Sequence, residues 1–595
     1  MARKRARTRT TPRSRTKGGK VAKISVVNSG EHGPTVLVIG AGPSGLVSLK
    51  TLRENGYNAV CVESSGHIGG TFYNKTYDDG ALVSSKYITA FSDFRWDSET
   101  RPHPTIDEYL EYLEKYSVKF KLKEHIHFGV TVEQVKPLET PSGKMYRCSF
   151  KFDDDLLPSD AKQRLAENNV FDAVAVCSGL HNVPFVPSIT GFYKYKGRSI
   201  HSSEYKSKSI FAHKRVLVVG CGETGCDVAY RAVQVSAPKG VALCVRRGFL
   251  SVPTALTETL PLDTYITNLF ECCYQHRWTE YFKLKWKFTT PFIRAAFLLG
   301  TGTSSGYNQW AGTLANVKRG YHIINKSTAV MPYINPPLKE RSWMGKHVYS
   351  YFDRTNPNPK EQVVKVVPSI AAFHTNGRSV EFSDGSTGDF DVIVWCTGYK
   401  QKFPFLNGGA VDGDDDPLPS EHMICSPSSP NLAFIGFVRP NVGAIPPMSE
   451  LQVMYWIQRM RGKTSPVPTV SYRLLGLDRT KAYGVDYGAY MHDLARSIGS
   501  APHLLNWLFK SPRVAVAYAL GQSYISFFRL EGPFKEENAE QISANELYFP
   551  VLERGVVGNL IFIVVIFIFG IINLTFWLVD NVVAMPVCFL WRLLL

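Results

Sequence analysis

Residues 35–45 read TVLVIGAGPSG, and this stretch decides the fold. Val36, Leu37, Val38 and Ile39 form a continuous apolar run of the kind a strand buried on both faces requires. It ends in the glycine turn Gly40-Ala41-Gly42-Pro43-Ser44-Gly45, and a helical pattern follows as far as Asn55. A second apolar strand, Asn58–Val62, closes on Glu63, 23 residues after Gly40. Strand, glycine turn, helix, strand and acid in this order make the dinucleotide-binding unit. Gly40 permits the tight turn, Gly42 lets the backbone approach a pyrophosphate, and Gly45 lets the helix pack closely on the strand. The helix N-terminus faces the negative phosphates, and Glu63 is placed to accept hydrogen bonds from ribose hydroxyls.

Residues 214–229, KRVLVVGCGETGCDVA, repeat the pattern. Val216–Val219 is the strand, and Gly220-Cys221-Gly222-Glu223-Thr224-Gly225 the turn. Here the next strand, Val241–Val245, runs into Arg246-Arg247 instead of an acid. A carboxylate repels a 2′-phosphate, whereas guanidinium groups fork onto one, so the second unit is expected to take NADPH and the first FAD. The alternative for the arginine pair is a solvated loop. Two such units in one chain indicate a flavoprotein in which a nicotinamide delivers hydride to a flavin. No CxxC pair is present, which separates the chain from the dithiol reductases and leaves a monooxygenase, an oxidase or a simple reductase.

The rest of the composition bounds the protein. A chain of 595 residues, 44% hydrophobic and 20% charged, has material for several domains with buried cores. Eleven cysteines without paired spacing read as free thiols, and there is no metal-ligand cluster and no nucleic-acid motif. The net charge of +17 is concentrated at the start: the first 23 residues hold ten Lys/Arg and no acid, and the remainder carries only +7. That arm is poor in large apolar residues and is expected to be disordered. A solvated arm, a contact to anionic lipid, a nuclear signal and a transit peptide stay open as readings; it has no apolar core and so is no secretory signal. Near the other end, residues 556–579 read VVGNLIFIVVIFIFGIINLTFWLV without a charge. At 24 residues the run covers about 36 Å as a helix, enough to span a hydrocarbon core of about 30 Å. A membrane anchor is expected there; the run from Val582 to Trp591 is too short to span.

Between the two turns lies YKGRSIHSSEY, residues 195–205, which matches FxGxxxHxxx(Y/F) with Tyr195 in the leading place. Residues 69–72 (GGTF) and 171–179 (FDAVAVCSG) before it, and 391–399 (DVIVWCTGY) and 434–452 (FIGFVRPNVGAIPPMSELQ) after it, match in turn. Over roughly residues 34–535 the chain resembles the flavin-containing monooxygenases, and the apolar run after them resembles the membrane-bound, dimethylaniline-type members.

The resemblance implies an enzyme with the cofactors FAD, NADPH and O2. NADPH reduces the flavin, reduced flavin adds oxygen at C4a to give a hydroperoxide, and an amine nitrogen or thioether sulfur takes one oxygen atom. No side-chain nucleophile or general acid is required, so no catalytic residue is assigned. The family pattern places FAD contacts on Gly40, Ala41, Gly42, Pro43, Ser44, Gly45, Glu63, Gly70, Thr71 and Phe72. It places NADP contacts on Gly220, Gly222, Thr224, Gly225, Cys226 and Asp227, to which the reading above adds Arg246 and Arg247. His201 is expected to position the two folds, and the segment from Gly443 to start a helix whose positive end faces the flavin.

Two departures from the family pattern stand out. Phe72 occupies a place usually held by Trp, and Val83 the place of an Asn whose amide lies near the peroxide. Valine cannot donate a hydrogen bond. Either Ser84 or Ser85 substitutes, or the peroxide leaks as hydrogen peroxide and the protein is an NADPH oxidase. Baeyer–Villiger relatives end the linker motif in Trp, and Tyr205 tilts the expectation toward heteroatom oxygenation without excluding carbonyl substrates. A catalytically silent scaffold is the reading outside the enzymes.

The fold expected is α/β, two interleaved Rossmann-like domains and a transmembrane helix. Its parts are a tail (1–33), an FAD domain with linker (34–205) and an NADPH domain (206–390) with an aromatic-rich insert (251–335). A segment returning to the FAD domain (391–535), a linker (536–555), the anchor (556–579) and a short apolar tail (580–595) complete it. Trp278, Tyr281, Phe282, Trp286 and Phe288 of the insert are expected to be mostly core, with a lipid-facing surface or the lining of a substrate passage open for some of them. The partners expected are a small nucleophilic substrate and membrane lipid, with no nucleic acid; a homo-oligomer is compatible with the sequence. The location implied is the endoplasmic reticulum, with the catalytic body cytosolic.

Overall fold

The protein is seen as a computed structural model. It describes residues 33–584 except 142, 247, 253, 256–259, 266–276, 283, 285–309, 312–322, 325, 335–361, 375–376, 408–417, 441 and 466–483. The arm of residues 1–23, Arg247, Trp286, Phe288 and the apolar run beyond 584 lie outside the described residues.

The elements that build the two nucleotide folds are, in chain order, β1 (Thr35–Ile39), α1 (Pro43–Glu54), β2 (Asn58–Glu63), α2 (Thr71–Asn74), β3 (Ile126–Phe128) and β4 (Ala173–Val176). There follow β5 (Arg198–His201), β6 (Val216–Val219), α3 (Glu223–Val233), β7 (Val241–Cys244), β8 (Val364–Val367), β9 (Val392–Trp395), β10 (Leu432–Phe434) and α4 (Ile445–Met460). The first sheet runs β10-β4-β1-β2-β3 and the second β8-β7-β6-β9-β5, with all pairs parallel. Val36, Leu37 and Val38 on β1, and Val216, Leu217 and Val218 on β6, are fully buried, as strands covered on both faces must be. Each sheet therefore feeds two cores, one on each side.

The order β4-β1-β2-β3 in one sheet is matched by β9-β6-β7-β8 in the other. The registers correspond as well: Val36 pairs with Ala173 and Ala59, and Val216 with Val392 and Val241. This topology corrects the expected domain limits. Arg198–His201, placed in the linker at the end of the first part, and Val392–Trp395, placed in the segment returning to the FAD domain, are both strands of the second sheet. The chain rejoins the first sheet at Leu432–Phe434. An apolar run shows that a strand is buried but not which sheet buries it, which is why the boundary was misplaced.

The C-terminal helix α5 (Gly555–Leu578) continues in wider turns over Val579–Ala584. It is one helix, among the described residues, long and apolar enough to cross a membrane. Its far end meets the insert: Trp278 Nε1 donates to Asp580 Oδ1 at 2.8 Å, and Phe282 stacks on Phe576 with ring centroids 6.1 Å apart. The insert aromatics described here are not core. Tyr281 is 71% exposed and Phe282 45%, because they pack along a helix that is itself unburied.

Candidate cofactor site

Both glycine turns are built to bring backbone to a ligand. Gly40 has φ +104°, and a Cβ there would lie 2.9 Å from the carbonyl oxygen of Cys177 at the end of β4. Gly220 has φ +108° and faces the carbonyl of Cys396, after β9, in the same way. A methyl on Gly45 or Gly225 would overlap the carbonyl oxygen of Gly40 or Gly220, so only glycine lets either helix start against its turn. Nothing lies within 4 Å of a Cβ built on Gly222, and Gly42 meets only the Cα of Gly70 at 3.8 Å. No side chain caps α1 or α3, and the first-turn N–H groups point to open cradles that fit a pyrophosphate. Gly70 closes over the first turn, where Gly69 N–H donates to Ala41 O at 3.1 Å.

Glu63 is buried and tied to the same turn. Its Oε2 accepts Ala41 N–H at 2.8 Å and its Oε1 accepts Ser65 N–H at 2.9 Å. The register puts Val245, buried, at the corresponding place of the second unit, with exposed Arg246 beside it. Cys226 packs its thiol into the core beneath α3, so only its backbone faces the turn, and Thr224 is half-buried. Asp227 is spoken for by protein partners: Tyr77 donates its hydroxyl to it, Arg231 Nε donates at 3.3 Å, and Lys326 Nζ lies 3.7 Å away.

Beside the first turn, α2 presents Thr71 and Phe72, and the Phe72 ring sits edge-on to Tyr109 at 4.8 Å. Helix α4 begins next to the first turn, its Ser449 hydroxyl 2.9 Å from that of Ser44. The positive end of α4 is thus brought beside α1. Ser84 donates its hydroxyl to Gly443 O at 2.9 Å, so its one proton is already used at the head of α4. Ser85 is fully buried, and its N–H donates to Asp263 Oδ2 at 2.7 Å. Val83 is half-buried beside them. Asp263 was not anticipated: it is an isolated acid in the insert, and only folding brings it to a residue 178 positions away. Burial pushes its carboxyl above the usual range, opposed by His103.

His201 holds the linker in place. Ser203 N–H donates to its Nδ1 at 3.1 Å, so Nδ1 is the acceptor and Nε2–H donates to Gly398 O at 3.0 Å. Burial lowers its pKa, and the neutral ring pins the turn after β9. Tyr205, at the end of the motif, is buried in the core of the second fold.

Two open glycine cradles of this geometry in one chain are the hallmark of flavin- and nicotinamide-dependent enzymes. A family model described as flavin-binding monooxygenase-like matches residues 33–286 and 360–585. The chain belongs to this family. It is an FAD-dependent monooxygenase, an oxidoreductase, and the cofactors of this family are FAD, NADPH and O2. Monooxygenase ptmN of Penicillium ochrochloron is 34% identical, over 93% of this chain and 96% of its own. Flavin-containing monooxygenase 1 of Mus musculus is 29% identical, over 85% of this chain and 91% of its own. Among solved structures, S-allyl-L-cysteine S-oxygenase from Allium sativum shares the fold with a TM-score of 0.53 and 19% identity, over 87% of this chain and 98% of that one.

Proposed function

We propose that this flavin monooxygenase is NADPH-dependent and places one oxygen atom of O2 on a soft nucleophile, an amine nitrogen or a thioether sulfur, the other oxygen leaving as water. The observation that carries the reading is the chemical difference between two otherwise matched cradles. Glu63 stands at the ribose position of the first, which suits FAD; Val245 and Arg246 stand there in the second, which suits the 2′-phosphate of NADPH. Bound FAD supplies the oxygen chemistry. The chain's own residues hold and orient it: Gly40–Gly45 and Gly70 at the pyrophosphate, Glu63 at the ribose, and Thr71, Phe72 and the head of α4 at the ring. Gly220, Gly222, Thr224, Gly225, the backbone of Cys226 and Asp227, Arg246 and Arg247 receive the nicotinamide nucleotide. Tyr205 at the end of the linker motif supports heteroatom rather than carbonyl oxygenation.

One observation favours a second reading, an NADPH oxidase. Val83 has no donor, and the Ser84 hydroxyl is committed to Gly443. The experiment that separates the two follows NADPH and O2 consumption together with N- or S-oxide and hydrogen peroxide, with and without an amine or thioether. Oxide formed in step with NADPH supports the monooxygenase; peroxide formed in step with NADPH, whatever nucleophile is added, establishes the oxidase. Helix α5 is read as an anchor to the endoplasmic reticulum that leaves the catalytic body in the cytosol, a reading supported by its length and its unburied apolar surface.

A further inference from the structure

The two nucleotide folds meet at a seam that Tyr77 crosses. Tyr77 lies three residues beyond α2, the helix of Thr71 and Phe72. Its ring leaves the first fold and packs on the core of the second, 5.3 Å from the ring of Tyr205. There its hydroxyl donates to the Asp227 carboxylate on α3. Arg231, one turn further along α3, bonds Asp227 through Nε at 3.3 Å. The same guanidinium reaches back across the seam, donating to the carbonyl oxygens of Asp78 at 3.0 Å and Asp79 at 2.9 Å, and it lies 5.1 Å over the Tyr77 ring. From the linker, Lys206 Nζ donates to Thr76 O at 3.0 Å, and its own carbonyl accepts Asp78 N–H at 2.9 Å. Asp79, whose carbonyl accepts Arg231, stands at φ +55° in the left-handed region that Asp adopts more readily than most side chains.

We propose that Tyr77, Asp227 and Arg231 form a latch that sets the position of the nicotinamide fold against the flavin fold. This rests on the NADPH-dependent reading above. Each half of the latch is joined directly to one cradle. Asp227 and Arg231 sit on the helix whose first turn receives the nucleotide, and Tyr77 follows the helix placed beside the flavin. A shift at the seam therefore moves one cradle relative to the other. Hydride transfer needs reacting atoms about 3–3.5 Å apart, and a misplacement of about 1 Å costs on the order of a hundredfold in rate. The three side chains act on that distance without touching either cofactor, so the Tyr77 hydroxyl, the Asp227 carboxylate and the Arg231 guanidinium are positioning groups. The Asp227 carboxylate, shared among Tyr77, Arg231 and Lys326, serves the seam, and the backbone of its turn serves the nucleotide.

The test compares the full-length enzyme with Tyr77→Phe, which keeps the ring, and Arg231→Lys, which keeps the charge but loses the fork. FAD content serves as the control for folding. Hydrogen–deuterium exchange over residues 74–80 and along α3 is measured with and without NADP+. The NADP+ dissociation constant and the limiting rate of flavin reduction by NADPH are measured alongside. A latch predicts faster exchange on both sides of the seam, an NADP+ dissociation constant within about twofold of wild type, and a limiting reduction rate lower by about tenfold. Unchanged exchange and unchanged reduction rate in both variants overturn it. So does a loss that falls wholly on NADP+ affinity, which makes Asp227 a nucleotide ligand held by Tyr77. Exchange and flavin reduction precede oxygen transfer, so a failure to oxygenate amines or thioethers leaves this test intact. A chain that does not accept hydride from NADPH still reveals the latch, or its absence, in the exchange.

Discussion

Glu63 and Val245 occupy one and the same position in two copies of a strand–turn–helix unit. Val36 pairs with Ala59 and Val216 with Val241, and four residues on from those partners lie Glu63 and Val245. Arg246 therefore stands one place beyond the acid position, where the first unit has Ser64. Replacing Arg246 by Ala removes a charge-assisted contact to a 2′-phosphate and should raise the KM for NADPH about tenfold with little change for NADH. Val245→Glu adds an acceptor for the ribose hydroxyls and a repulsion for the phosphate, moving preference further toward NADH. Steady-state KM values for both nucleotides check this.

Helix α4 carries a buried carboxylate in its second turn. Glu450 is 1% exposed, accepts Ser92 N–H and Arg529 Nη1 at 3.0 Å each, and also takes the Ser92 hydroxyl proton. Burial pushes its carboxyl up while Arg529 and Lys50 oppose the shift, so the charged form depends on its partners. Arg529→Met leaves that charge uncompensated and should cost about 3–5 kcal/mol, and adding Glu450→Gln should return part of the loss. Urea unfolding of the FAD-bound protein measures both. Because α4 begins beside Ser44, the single variant should also release FAD more readily.

His492 contributes to the loss of stability in acid. It is buried with its ring edge-on to Phe528 at 5.1 Å, and burial, helped by Arg496, lowers its pKa to about 3. The folded state thus holds the ring neutral, whereas the unfolded chain protonates it near its ordinary value of about 6.5. Its contribution is fully present above that pH and is lost as pH falls, by about 1.4 kcal/mol per pH unit, down to the folded value. His492→Phe, which keeps the aromatic packing, should flatten the stability profile between about pH 6 and pH 4. Unfolding midpoints across that range show whether it does.

Helix α5 exposes Val556, Val557, Leu560 and Phe567 to an extent that water does not favour. If it is embedded in lipid, the full chain should remain in the membrane pellet after alkaline carbonate washing, and a chain ending at Arg554 should move to the soluble fraction with its flavin. Recovery of the full chain in the wash would make α5 a peripheral contact.

The two nucleotide units were legible because everything that makes them is contiguous. A buried strand, a glycine turn and a helix start are encoded within about a dozen residues, and Gly40 and Gly45 are required by clashes with their own turn and with the strand beside it. The helix after Gly443 and the apolar helix near the end were legible for the same local reason. Periodicity does not say which sheet a strand joins, and Val392–Trp395 went to the second sheet against expectation. Nor does it show what covers a surface, and Tyr281 and Phe282 proved exposed.

The sequence by itself thus determined the local units, the residues that end their second strands and the candidate cofactors. Only the tertiary structure decided how those units face each other. Tyr77 finds Asp227 across 150 residues, Ser85 finds Asp263 across 178, and Ser92 finds Glu450 across 358. Such polar pairs are chosen by the need to satisfy groups once the domains close and water leaves, and that need arises from the packing of the whole chain rather than from any segment of it.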